Sequence, residues 1–93
     1  MDEKVLTRHP EGKRGRSISR AKYEAVRQAI LDSLAPRGEL THTALTEAVV
    51  ERLKGKFTGS IPWYMETVKL DLEAKGIIQR VPNTRPQHVR LVK

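Results

Sequence analysis

The chain has 93 residues, enough for one domain with a modest core and too few for a substrate-binding domain beside it. Eighteen Lys and Arg stand against eleven Asp and Glu, a net charge of +7, which favours polyanionic partners: nucleic acid first, an anionic membrane surface second. The absence of cysteine excludes a disulfide framework and a thiolate metal site.

Acids precede any apolar run at the amino terminus, and no run of about 18 apolar residues occurs, so neither a secretory signal nor a membrane span is supported. The expectation is a soluble, cytoplasmic protein without a membrane partner. Charge is unevenly placed. Residues 1–22 carry a net +4, residues 23–60 are neutral, residues 61–76 carry −1, and residues 77–93 carry +4 with no acid. If the two ends converge in space, they form a basic clamp around a nearly neutral centre.

Residues 1–17 read as a basic arm and residues 18–93 as the folded domain. Val5, Leu6 and Thr7 suit a short strand, but His9-Pro10 and the glycines around Lys13-Arg14 favour an extended arm with turns. Arg8, Lys13, Arg14, Arg16 and Arg20 are the residues at issue. Either the arm lies on phosphates or enters a minor groove, or it is a solvated terminus whose charges keep the protein soluble.

A first helix is predicted after Ser19, ending before Pro36, which cannot continue it. Its buried stripe is Tyr23, Val26, Ile30 and Leu34, with Ile18 stapling onto Tyr23 across the cap. Leu40 serves as a bridge or as a staple onto Leu45. With Thr41 as N-cap, a second helix runs from His42 to Lys54, its apolar face formed by Leu45, Ala48, Val49 and Leu53, and Gly55 ends it. Residues 54–59 are too polar and glycine-rich for regular structure, and Phe57 anchors that loop to the core.

Ser60 caps a third helix starting at Ile61, where Pro62 costs nothing because first-turn N–H groups lack helical partners. Ile61, Met65, Val68 and Leu72 fall on its inner face, with Tyr64 at the edge. Trp63, Glu66, Thr67, Leu70 and Ala74 point outward, with Lys69 and Asp71 at the margins. Gly76 is the left-handed cap, after which Ile77, Ile78 and Val81 suit a strand. Strands are predicted over 77–81 and 87–92, joined by a stiff loop with Pro82 and Pro86. The fold class is mainly α with a small β-hairpin.

The Gly38-Glu39-Leu40-Thr41 entry to the second helix, and the run VKLDLEAKGIIQRV over 68–81, are similar to the winged helix-turn-helix join between recognition helix and wing. The resemblance covers about 18–92. More closely, residues 59–82 together with HPEGKRG at 9–15 resemble a family of small, uncharacterised, stand-alone bacterial winged-helix proteins. More distantly, the Trp followed by Leu and Gly-Ile is similar to the amino-terminal winged helix of restriction endonucleases acting on methylated DNA. Those enzymes carry catalysis on a separate domain, so no nuclease activity is carried over. The resemblance implies docking of the third helix in a DNA major groove, with the wing loop on the backbone or minor groove.

This helix departs from the usual pattern. Its outward face has no arginine to grip guanine, and Glu66 and Asp71 repel phosphate unless a cytosine amino group is read. Contacts from arm and wing survive that objection, which leaves Arg8, Lys13, Arg14, Arg16, Arg20, Thr67, Lys69, Arg80, Arg85, His88 and Arg90 as the nucleic-acid-binding candidates. Lys93 adds to a wing rich in cations and free of neighbouring acids. Trp63 and Leu70, two turns apart, either contact bases or ribose, or are covered by the arm folding back or by a second subunit in a homodimer.

The expected function is double-stranded DNA binding through backbone phosphates, as in a small transcription regulator or a chromosome-associated protein; the competing reading is an interaction or dimerisation module using Trp63 and Leu70. Charge alone does not separate DNA from structured RNA. No enzyme is expected. His9, His42 and His88 lack metal-ligand spacing, Ser60 has no nucleophile elbow, and the glycines lack the Walker spacing. Hence no catalytic residue, metal, cofactor or small-molecule substrate is assigned.

Overall fold

Hydroxyl side chains start all three helices of the computed structural model, which describes residues 3–83 and 85–92. Ser19 Oγ accepts from the Lys22 N–H at the head of α1 (Arg20–Leu34). Thr41 Oγ1 accepts from Ala44 at the head of α2 (His42–Leu53), and Ser60 Oγ accepts from Trp63 at the head of α3 (Ile61–Ala74). Each cap satisfies an N–H that the helix itself cannot, a contribution of about 1 kcal/mol. At the far end of α3 the Ile77 N–H donates to Leu72 O at 2.9 Å and the Gly76 N–H to Glu73 O at 3.1 Å. This paired closure requires a left-handed residue, and Gly76 supplies it with φ 73°.

Apolar residues at helical spacing then bring the three helices together. Tyr23, Val26, Ile30 and Leu34 of α1 meet Leu45, Val49 and Leu53 of α2 and Met65, Val68 and Leu72 of α3 in one buried core. Ile18, Ile78 and Val89 complete it from the strands. Each buried aliphatic side chain contributes roughly 1.5–3 kcal/mol of transfer free energy. Phe57 holds the α2–α3 loop by packing edge-on against Tyr64, ring centroids 5.1 Å apart. Ala48, placed on the buried face by its spacing, is only half-buried.

Five short strands form two antiparallel sheets among the described residues. β1 (Lys4–Leu6) pairs with β2 (Ser17–Ser19), matching Val5 with Ile18. β3 (Glu39–Thr41), β4 (Ile78–Val81) and β5 (His88–Leu91) form a sheet in the order β3-β5-β4, with Leu40 and Arg80 both opposite Val89. Leu40 therefore sits in a strand, close to its expected bridging role. The architecture is α+β. No described helix is long and apolar enough to cross a membrane.

The arm expected over residues 1–17 is instead held to the domain by its ends, with Lys4–Leu6 and Ser17 in paired strands. Val5 packs against the core and Ile18 belongs to it, so pairing β1 to β2 buries apolar surface that an arm in solvent would leave wet. Lys93, counted among the wing cations, lies outside the described residues.

Candidate nucleic-acid interface

The strands β1 and β2 are joined by a loop over residues 7–16, closed at its mouth by one threonine. Thr7, 3% exposed, donates its N–H to Arg16 O at 2.8 Å, and its Oγ1 accepts from the Arg16 N–H at 2.8 Å. Gly15 is required there by proximity: a Cβ would lie 1.7 Å from Thr7 O, far inside contact distance. A small residue at the mouth is what lets the two loop arms close.

The loop does not project into solvent; it is fastened to α3 by Asp71. This carboxylate is fully buried. It accepts from the Arg8 N–H at 2.8 Å and from the Tyr23 hydroxyl, and it pairs with Lys75 Nζ at 3.0 Å. Three donors on three segments compensate the cost of taking one charge out of water. Burial raises the Tyr23 hydroxyl above the usual tyrosine range, and its hydrogen bond to Asp71 adds to the rise. Burial pulls the Lys75 ammonium down, but its bonds to Tyr23 and Asp71 outweigh that and leave it raised.

Lys69, expected as a phosphate contact at the margin of the outward face, is 1% exposed. Its Nζ lies 3.0 Å from Glu73 and 3.6 Å from Glu66. Those acids also bind Arg80 at 2.7 Å and His42 at 3.0 Å. A chain of contacts, His42–Glu66–Lys69–Glu73–Arg80, thus crosses α3 from α2 to β4, and Lys69, at its centre, cannot reach a phosphate. Burial works to raise the Glu66 carboxyl, but the His42 hydrogen bond and Lys69 overcome it and hold that carboxyl below its usual range. Asp71, placed with Lys69 at the margin, is likewise an interior residue.

Between the loop and α3 lies a cleft of about 320 Å³. Arg8, Lys13, Arg14 and Arg16 line the loop side; Trp63, Thr67 and Leu70 line the helix side. The lining contains no acid. Lys13 pairs with Glu11 at 3.2 Å, whereas Arg8, Arg14 and Arg16 have no carboxylate partner among the described residues. The Lys13 contact holds the Glu11 carboxyl below its usual range, with smaller contributions from His9 and Arg80. Of the two possible covers for the Trp63 and Leu70 face, the folded-back loop is present, although Trp63 remains 44% exposed. Helix α3 therefore does not offer a bare outward face to a major groove.

The wing is less free of acid than its sequence implies. Arg80 is held by Glu73, and His88 Nδ1 lies 2.7 Å from Glu39 Oε2. With its amide turned so that both ends are satisfied, Gln79 accepts from Arg90 Nε at 2.6 Å and Nη2 at 2.7 Å. Arg20 is engaged by Glu3 at 3.5 Å and Glu24 at 3.8 Å. Arg85, in the exposed loop between β4 and β5, has no carboxylate partner among the described residues. The two ends of the chain do approach one another: His9, Pro10 and Glu11 share a surface hollow with Glu73, Gln79 and Arg80. The cluster stripped of acids is thus Arg8, Arg14 and Arg16, with Arg85 apart on the wing.

The sequence pattern of a protein family matches residues 4–89, from the first residue of β1 into β5. The chain belongs to DUF6958, a family of unknown function. A comparison with curated proteins gave no match. The DUF6958 match takes in the whole of loop 7–16 as well as the three helices, so the cleft is built entirely from residues within the matched span.

Composition and periodicity did not single out Thr7, Gly15, Tyr23 or Asp71 as the residues that position the cleft. The one local signal was Gly15 between two arginines. Asp71 gave none, because a carboxylate next to an apolar stripe has the same pattern whether it is solvated or buried.

Proposed function

We propose that this protein is a winged helix-turn-helix module that binds double-stranded DNA through its phosphates, without insertion of α3 into the major groove. What supports the winged-helix reading is the order α1-β3-α2-α3-β4-β5, with β3 and the β4–β5 hairpin in one antiparallel sheet. The observation that carries DNA binding is the convergence of Arg8, Lys13, Arg14 and Arg16 on one cleft whose lining holds no acid. Guanidinium groups pair with phosphate oxygens in a bidentate fork, and a cluster of them gives affinity without sequence preference. Such a module suits a small regulator or a chromosome-associated protein.

The test is a titration of labelled duplex DNA followed by anisotropy over a range of salt. If Arg8, Arg14, Arg16 and Arg85, which have no carboxylate partner among the described residues, each neutralise one phosphate, the logarithm of affinity falls against that of salt with a slope of about −3.6. No binding at low salt, or a flat response, overturns the proposal.

A second reading, a dimerisation module, draws on the exposure of two large apolar side chains, Leu6 at 70% and Trp63. It requires the solution mass to double with concentration, Trp63→Ala to abolish the doubling, and Arg85→Ala to leave it intact.

A further inference from the structure

Loop 7–16 bars a duplex groove from α3 but leaves one aromatic surface reachable. Trp63 lines the cleft opposite Arg8, Arg14 and Arg16, with Thr67 beside it. We propose that this cleft takes an unpaired base of single-stranded DNA, stacked on the Trp63 indole, with the flanking phosphates held by the three arginines. The inference rests on the phosphate-binding reading above and adds to its duplex contacts a site for an unpaired base.

Three observations favour an unpaired base. The cleft, at about 320 Å³, falls in the range of small-ligand sites, roughly 300–1,000 Å³, and so suits one base rather than a helix. In a duplex the base faces are stacked on one another and only their edges reach the grooves, whereas an indole binds through faces. Arginine supplies three of the four cations in the lining, and its flat guanidinium both forks onto phosphate and stacks on bases, which a lysine ammonium does not.

The chain contains a single tryptophan, so its intrinsic fluorescence reports on this cleft directly. The full chain is titrated with an oligothymidylate and, in parallel, with a duplex of equal length at the same low salt. Saturation with oligothymidylate is expected to quench Trp63. Anisotropy of labelled DNA then compares variants whose folding is verified by circular dichroism. Trp63→Ala should weaken oligothymidylate binding by roughly 5- to 140-fold, the range of one base–aromatic stack, and change duplex binding by less than about twofold. Trp63→Phe should recover part of the loss, and Arg14→Gln should weaken both ligands.

If the fluorescence stays unchanged at saturation, or Trp63→Ala weakens both ligands alike, the stacking site is overturned while phosphate binding stands. If neither ligand binds at low salt, the nucleic-acid reading itself fails, and this inference with it.

Discussion

Asp71 decides more of this structure than any residue in the exposed cationic set. It is one carboxylate answered by a tyrosine on α1, the lysine that caps the end of α3 and a backbone N–H of the loop. Protonation linked to this cluster should be visible in stability. Tyr23 and Lys75 both titrate higher in the folded protein than in the unfolded chain. Groups shifted upward contribute their stability in full below the unfolded value and lose it as pH rises through the folded value. The thermal midpoint should therefore hold on this account up to about pH 10 and decline above it. Tyr23→Phe should lower stability near neutrality by about 1.5–3 kcal/mol, the range for a hydrogen bond to a charged group, and shrink the alkaline decline. Melting curves at pH 8 and at higher pH check both; an alkaline decline of the same size in the variant would count against this assignment. Glu66 has the opposite sign. Its lowered carboxyl adds stability that is lost as pH falls below the ordinary carboxylate range.

At the scale of elements, what could be read from sequence was what local chemistry decides. Ser19, Thr41, Ser60 and Gly76 mark helix ends because caps involve residues within one turn. The three apolar stripes follow from a period of 3.6, and all three pack inward. The loop was not legible for the opposite reason: the bond from Arg8 to Asp71 spans 63 positions, and composition carries no record of such a pairing. Lys69 failed in the same way, since Glu66 and Glu73 are visible one turn away but the tertiary contacts of those acids, with His42 and Arg80, are not. The loop's closure gives a sharp test. Gly15→Ala places a methyl group against Thr7 O, so the mouth must open, at a cost of about 1–3 kcal/mol for an overpacked contact. Helix content should persist while amide exchange at Thr7 and Arg16, the two closing N–H groups, speeds up. Unchanged protection there would show that the mouth tolerates the methyl and that the glycine is not needed for close approach.

For the whole molecule, the two basic ends are not equivalent, although charge totals make them look so. Residues 1–22 and 77–93 each carry +4 by sequence, yet tertiary contacts neutralise Arg80 by Glu73 and set Glu39 beside His88. Acids from the middle of the chain thus dilute the carboxy-terminal charge, leaving Arg85 and Arg90 with no carboxylate beside them among the described residues, Arg90 held instead by the Gln79 amide. In loop 7–16 the one acid, Glu11, is held by Lys13, and Arg8, Arg14 and Arg16 have no carboxylate partner among the described residues. A binding mode driven by phosphates should therefore be weighted towards the loop. Arg14→Gln and Arg16→Gln are each expected to reduce the salt slope of duplex binding by about 1, together by about 2, since each removes one displaced counterion. Arg80→Gln should leave the slope unchanged, because that guanidinium is already committed to Glu73. A titration series across these four proteins measures the distribution directly. Equal slope losses from loop and wing would mean that the Glu73 pair opens on binding, and the weighting towards the loop would then be wrong.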